Sequence, residues 1–214
     1  DAWNAAYRAL FLKGVRGDSE AVLDGCDRWL VPVARDVLRD EHLLAVSMTL
    51  RANALYVRGE VTEALRIRRE QLSVFERLGD EREAAGVRGH IAGHLGAQDD
   101  FKEALRLRLE GELPVYERLG LGDEAALTHL NVGELLSILG RHVEAFAHLE
   151  RARDWFDQQG SIGNKVLTRV GLSRAYLRAG NHQGALREAG AALSLAETTR
   201  EPAYLLRAAN HMAS

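Results

Sequence analysis

The fold of this chain is decided by a stretch that occurs twice. Residues 63–79 read EALRIRREQLSVFERLG, and residues 103–120 read EALRLRLEGELPVYERLG, with one additional residue near Gly111. Leu, Arg and Glu lose little side-chain freedom in a helix, so each copy predicts a helix. Similarity at a fixed distance along the chain predicts a repeat protein.

Two more copies follow when the alanine of each stretch serves as an anchor. The anchors, separated by 40, 41 and 40 residues, are Ala64, Ala104, Ala145 and Ala185. Five residues before each anchor stands a residue type that tolerates the left-handed conformation that ends a helix: Gly59, Asp99, Gly140 and Gly180. A degenerate earlier copy is predicted at 17–21, with a turn one residue shorter.

A second helix is predicted before each of these turns. Small residues lie twelve positions before the anchors, at Ala52, Ala92, Gly133 and Ser173. Large residues lie nine positions before them, at Leu55, Leu95, Leu136 and Tyr176. A small residue lets two helix backbones approach, and a large one fills the adjacent space. Each repeat is therefore predicted to be a helix pair that stacks on its neighbours to bury its apolar face.

This pattern resembles the tetratricopeptide repeat (TPR) family, in a long form like that of bacterial multidomain regulators. The period exceeds the family's usual 34 residues, and the family's proline between repeats is missing. The resemblance implies an all-α fold, a right-handed α-solenoid of stacked antiparallel helix pairs with about eleven helices. It implies one domain over 1–214, divided into a degenerate pair 1–39, repeats 41–80, 81–120, 122–160 and 162–200, and a final helix 202–214.

Two prolines are predicted to kink the second helices of their pairs. Pro114 follows the additional residue of the second full repeat, and Pro32 occupies the equivalent place in the degenerate copy. Each removes a backbone hydrogen bond and crowds the preceding turn.

The composition excludes several classes of protein. With 28 basic against 31 acidic residues, the chain lacks the positive excess of a nucleic-acid binder or a polybasic membrane-surface segment. No apolar run approaches the roughly 18 residues that span a bilayer. One cysteine, Cys26, fits a reducing cytoplasm and is predicted to be a small buried apolar residue. The tryptophans Trp3, Trp29 and Trp155 are predicted to be core residues.

The motifs of enzymes are missing from the sequence, which predicts a protein that is not an enzyme and holds no cofactor. There is no phosphate-binding glycine loop and no nucleophile elbow. His90 and His94 share a helix face, and His129 could add a third metal ligand, but Ile91 stands where a zinc protease needs Glu. The favoured interpretation is that no metal binds, one of the first two histidines packs between helices, and the other faces the groove.

The resemblance further implies that the first helix of each pair lines a concave groove. The residues predicted to form this partner-binding groove are Asn53, Tyr56, Gly86, Gly89, Gly93, Gly96, Leu127, Leu130, Glu134, Leu167, Val170 and Arg174. Four of them are glycines on one face of one helix. Each glycine inside a helix costs about 0.8–1 kcal/mol relative to alanine, which indicates a need for close approach.

Two interpretations of this glycine stripe remain open. In one, a partner helix or peptide lies against it; in the other, the glycines permit tight winding, or Tyr56 fills the space. The first predicts a protein- or peptide-binding scaffold, the interaction or sensor part of a larger regulatory protein. The alternative is a purely structural or self-associating array, in which the C-terminal end forms a homodimer through Tyr204, Leu205 and Leu206.

Overall fold

The computed structural model describes residues 2–159 and 162–199, which form ten helices and no strand. We number them α1 (Ala2–Val15), α2 (19–38), α3 (Glu41–Val57), α4 (Val61–Leu78), α5 (Glu81–Gly96), α6 (101–118), α7 (Gly122–Ile138), α8 (His142–Gln159), α9 (Ile162–Arg178) and α10 (His182–Thr199). The predicted all-α fold of helix pairs is confirmed. The predicted final helix, with Tyr204, Leu205 and Leu206, lies outside the described residues.

The chain divides between Gln98 and Asp99 into two compact units. Unit 1 contains α1 to α5, and unit 2 contains α6 to α10. The assignment of the whole chain to one domain, and the limits of the repeats, stay predictions. None of the helices in the described ranges combines the length and apolar character needed to cross a lipid bilayer.

The helices begin and end where short polar residues and glycines allow it. The side chains of Asp18, Asp40, Asp80 and Asp100 each accept a hydrogen bond from the backbone N–H three residues on, which caps a helix start. The four turn residues before the anchors all have positive φ: +85° at Gly59, +63° at Asp99, and +76° at both Gly140 and Gly180. The turn positions predicted from the sequence are therefore confirmed.

The small residue of a pair permits close helix packing, as the sequence predicts. In unit 2, a Cβ atom added to Gly133 would lie 2.6 Å from Leu149 Cγ and 3.0 Å from the Ala145 carbonyl oxygen. One repeat later, Ser173 Oγ donates a hydrogen bond of 2.7 Å to the Ala185 carbonyl. In unit 1, Ala52 is fully buried. The apolar surface that these contacts remove from water supplies the main stabilisation of each helix pair.

Each unit buries its own apolar clusters. Unit 1 has one cluster of Trp3, Leu10, Val22, Cys26, Leu30, Leu50 and Ala54, and a second of Ala52, Leu55, Ala64 and Ile67. Unit 2 has one cluster of Ala126, Leu130, Leu149, Ala152, Phe156, Leu172 and Ala175, and a second of Val166, Val170, Ala192 and Ala196. The predicted burial of Cys26 and Trp3 is confirmed.

Both prolines lie beside turns of π-helix. In α2, the π-helical turns Cys26–Leu30 and Val33–Leu38 stand on either side of Pro32, and in α6 the turn Leu107–Glu112 precedes Pro114. A π turn takes one more residue than an α turn. The additional residue near Gly111 lies inside the third of these turns, which accounts for the 41-residue spacing.

The prediction that Trp29 is a core residue is wrong, because 67% of it is exposed. Trp29 lies within the π turn Cys26–Leu30. Residues four to five apart share a face in such a turn, so Cys26 and Leu30 both stay buried while Trp29, three residues after Cys26, is turned away.

Candidate functional site

Unit 1 contains an apolar cavity of about 300 Å³. It is lined by Phe11, Gly14, Val15, Ser19, Val22, Leu50, Asn53, Ala54, Tyr56 and Val57, from α1, the start of α2 and the second half of α3. Asn53 and Tyr56 are two of the predicted groove residues. The structure therefore places these two in the lining of a concavity.

The sequence of α1 and α3 explains why the cavity is apolar. Leu50, Asn53, Ala54 and Val57 follow the spacing of three and four residues that defines one helix face. Three large apolar residues around the cavity remain largely in water: Phe11 is 49% exposed, Val57 66% and Val15 70%. Clustered apolar side chains that stay exposed mark interaction surfaces.

A fully buried arginine, Arg68 of α4, stands behind Asn53. Its Nη2 donates to Asn53 Oδ1, and its Nη1 donates to Gln71 Oε1 at 2.8 Å. Gln71 donates in turn to the Ala45 carbonyl at 2.9 Å and to Thr49 Oγ1 at 2.7 Å. Arg68 Nε has no hydrogen-bond partner, and no described carboxylate forms an ion pair with this guanidinium. Burial lowers the pKa of Arg68 to about 10.

This contact fixes the orientation of the Asn53 amide. A guanidinium only donates, so the oxygen of Asn53 must face Arg68. No described residue accepts a hydrogen bond from Asn53 Nδ2, so these hydrogens are available to an acceptor from another molecule. The cavity thus combines apolar walls with a hydrogen-bond donor that is backed by a positive charge.

His94 of α5 extends this group of polar side chains. Its ring stacks on Tyr56 with a centroid distance of 4.2 Å and an interplanar angle of 15°. His94 is 5% exposed, and its Nε2 has no hydrogen-bond partner. Burial, and then the charge of Arg68, lowers the pKa of His94 to about 4, so the ring is neutral at pH 7. We call Arg68, Asn53, Tyr56 and His94 the Arg68 cluster.

The four stripe glycines of α5 do not share one environment. Gly89 is buried, Gly86 and Gly96 are half-buried, and Gly93 is exposed. His90 is exposed while His94 is buried, so one of these two histidines does pack between helices. The binding of a partner along the stripe stays a prediction. Gly93 is the one glycine of the stripe that is exposed.

The predicted groove residues of unit 2 mostly contact one another. Leu130 is buried with Leu167 packed against its cluster, and Val170 is buried in the neighbouring cluster. Arg174 Nη1 lies 3.3 Å from Glu134 Oε1. Leu127 is 42% exposed. Of the apolar residues in this set, Leu127 therefore offers the most surface to a partner.

A second concavity, of about 520 Å³, lies in unit 2 between the end of α6, α7 and α8. Tyr116, Glu117, His129, Arg151 and Trp155 are among its lining residues. The prediction that Trp155 belongs to the core is wrong: 37% of it is exposed, and its Nε1 donates to Asp123 Oδ1 at 2.8 Å. This indole, anchored to α7, forms a wall of the concavity.

Two histidines meet beside this second concavity. The Nδ1 atoms of His129 and His148 are 2.8 Å apart, so one donates a hydrogen to the other. Burial, and then His129, lowers the pKa of His148 to about 4. Burial, and then Arg151, also lowers the pKa of His129. Within the described part of the chain, no group of three or more His, Cys, Asp or Glu side chains is arranged to hold a metal ion.

Sequence reasoning missed the Arg68 cluster, although a signal for it existed. Four residues after the anchors stand Arg68, Arg108, Leu149 and Ala189. The last two are apolar, which marks this position as core, so the two arginines could have been expected inside. Their partners could not, because they depend on the packing of separate helices.

Comparisons with known proteins agree with this architecture. The tetratricopeptide repeat family model matches residues 123–198. No curated protein matches the sequence at a significant level. Solved structures show the same fold at identities too low to show more than the fold.

Three of these structures differ in the share of their own length that aligns with this chain. BtubC (BKLC) from P. vanneervenii aligns with a TM-score of 0.75 and 20% identity, over 89% of this chain and 78% of that one. MamA from Desulfovibrio magneticus RS-1 aligns with a TM-score of 0.62 and 15% identity, over 94% and 98%. The STAND protein PH0952 from Pyrococcus horikoshii, which has a tetratricopeptide repeat sensor, aligns with a TM-score of 0.74 and 15% identity, over 97% of this chain and 32% of that protein.

Proposed function

We propose, from the premise that this chain is a TPR-like repeat protein, that it is a scaffold that binds a protein or peptide partner. The observation that carries the proposal is the cavity of unit 1, where Phe11, Val15 and Val57 stay exposed beside Asn53 and Tyr56. Apolar walls with a few placed polar groups are what a peptide-binding surface requires. The proposal includes no catalytic step and no cofactor.

The proposal also covers the kind of protein in which this chain acts. PH0952 carries its tetratricopeptide repeats as the sensor of a larger protein. We infer a similar role here, as the interaction or sensor part of a cytoplasmic regulatory protein.

Photo-crosslinking tests the proposal. A photoreactive amino acid at Val57 reports on the cavity, and the same amino acid at Val143, which is 86% exposed on α8, is the matched control. In extract of the organism that encodes the chain, we expect a defined adduct from Val57 and none from Val143. The double change Phe11→Ser and Val15→Ser should remove that adduct, because it removes the apolar walls.

Equal labelling from both positions would contradict the proposal. Adducts made only with a second copy of the chain would favour the self-associating alternative, which sedimentation across a concentration range would then measure.

The glycine stripe requires a separate variant. Gly93→Leu places a side chain at the exposed position of the stripe, whereas Gly89→Leu would test packing because Gly89 is buried. If the partner lies along the stripe, Gly93→Leu should remove the Val57 adduct without lowering the melting temperature. An unchanged adduct would show that the stripe serves packing alone.

A further inference from the structure

Two repeats place an arginine at the same buried position, but only one of the two arginines pairs with a carboxylate. Arg108 Nη1 lies 2.7 Å from Glu112 Oε2, and both residues are buried, at 8% and 6% exposed. Arg68, forty residues earlier, meets Gln71 instead and is fully buried. The second full repeat thus carries its own counter-charge, and the first does not.

A buried guanidinium without a carboxylate is costly, since amide oxygens replace only part of its hydration. The groups that face Arg68 are neutral at pH 7: Asn53, Gln71, the ring of His94, and Tyr7, whose pKa is raised by burial. Arg68 Nε and His94 Nε2 both lack a partner although both side chains are more than nine-tenths buried. Among the described residues, Arg68 therefore has no negatively charged partner.

A carboxylate from another molecule can approach Arg68 through the cavity of unit 1. Asn53 lines the cavity and is bound to Arg68 through its oxygen, so its Nδ2 presents donors at the cavity. Asn53 is itself exposed, so an incoming carboxylate can reach it. The walls beside it are Leu50, Ala54 and Val57, which suit an apolar side chain.

We propose that this cavity binds an acidic side chain of a partner peptide together with an apolar residue next to it. The carboxylate accepts from Asn53 Nδ2 and neutralises Arg68, and the apolar residue packs between α1 and α3. The inference rests on the proposed function and names the chemistry of the partner at that site. Charge complementarity selects the occupant: Arg68 has no carboxylate within the described chain, whereas Arg108 has one.

Two short peptides test this preference. The probes are the amide of acetyl-Ala-Leu-Glu-Leu-Ala and the same peptide with Gln in place of Glu, titrated against the full chain by NMR while the Asn53 side-chain amide is followed. We expect the Glu peptide to bind at least about tenfold more tightly, because a charge-assisted hydrogen bond contributes more than a neutral one.

The variant Gln71→Glu supplies the missing charge from within, as Glu112 does for Arg108. We expect it to abolish the preference for the Glu peptide, because its own carboxylate then meets Arg68 Nη1 in place of the Gln71 amide oxygen. Ser73→Glu is the matched control, because it adds the same charge at an exposed position of the same helix. It should leave the preference for the Glu peptide unchanged.

Three outcomes would overturn the inference. One is an equal response of Asn53 to both peptides; another is a Gln71→Glu chain that keeps the preference for the Glu peptide. The third is displacement of the Glu peptide by inorganic phosphate or hexanoate at equal concentration, which would indicate a site for free anions. If Val57 captures a partner but the Glu peptide shows no advantage, the acidic preference is wrong while the proposed function stands.

Discussion

At Gly133 the lack of a side chain is what allows α7 and α8 to approach. A Cβ there would lie 2.6 Å from Leu149 Cγ and 3.0 Å from a backbone oxygen, which cannot move away cheaply. We expect Gly133→Ala to lower the free energy of unfolding by about 1–3 kcal/mol. Gly190→Ala, where nothing lies within 4 Å, should instead raise it by about 0.5–1 kcal/mol. Urea unfolding of both variants measures the difference, and equal shifts of the same sign would refute the explanation.

At this same scale, sequence reasoning succeeded where a position has one local requirement. Gly59 and Gly140 need positive φ, and Gly133 needs close approach, and each follows from the repeat alone. It failed where a side chain depends on neighbouring helices. The Trp155 indole is hydrogen-bonded to Asp123, and the Arg68 guanidinium to Asn53, and neither partner is close in sequence.

At the scale of elements, the π turn in α6 takes up the one residue by which the stretch 103–120 exceeds the stretch 63–79. Deletion of Gly111 should convert this turn into an α turn, because Arg108 and Glu112 would then be three residues apart, as Arg68 and Gln71 are. We expect the melting temperature to stay within about 3 °C of the wild type. Thermal unfolding followed by circular dichroism measures it.

The control is deletion of Glu70 from α4, which has no π turn. It rotates Gln71 and Phe75, both buried, by about 100° away from the core. That deletion should cost more than about 3 kcal/mol. Comparable losses from the two deletions would show that the additional residue is not absorbed by the π turn.

The prolines show the limit of prediction for whole helices. Pro32 and Pro114 are predicted to kink their helices, which stays a prediction, and both lie beside π turns that the sequence did not predict. The spacing of the repeats indicates one additional residue, but it does not predict that a π turn accommodates this residue. That choice depends on which side chains, such as Glu112, the neighbouring helices bury.

At the scale of the whole molecule, buried histidines make the fold sensitive to acid. The pKa values of His94 in unit 1 and His148 in unit 2 lie near 4 in the folded chain, below the usual 6.5. Protonation therefore favours the unfolded state, so stability is full above pH 6.5 and is lost as the pH falls toward 4. We expect each histidine to remove about 1–2 kcal/mol at pH 5.

Unfolding free energies measured at pH 7.5 and pH 5 check this expectation. The variants His94→Gln and His148→Gln should each lose less stability over that interval than the wild type. His182→Gln, at an exposed position, should lose as much as the wild type does. An unchanged pH dependence in the first two variants would place the acid sensitivity elsewhere.

The burial of Cys26 has a practical consequence for experiments on this chain. It is the one cysteine among 214 residues, it is fully buried in unit 1, and burial raises the pKa of its thiol to about 12. A thiol reagent will therefore react with the native chain only when the helices around Cys26 open. The rate of that reaction reports the opening of this one unit, without any introduced residue. A cysteine introduced at the surface would, for the same reason, be modified selectively.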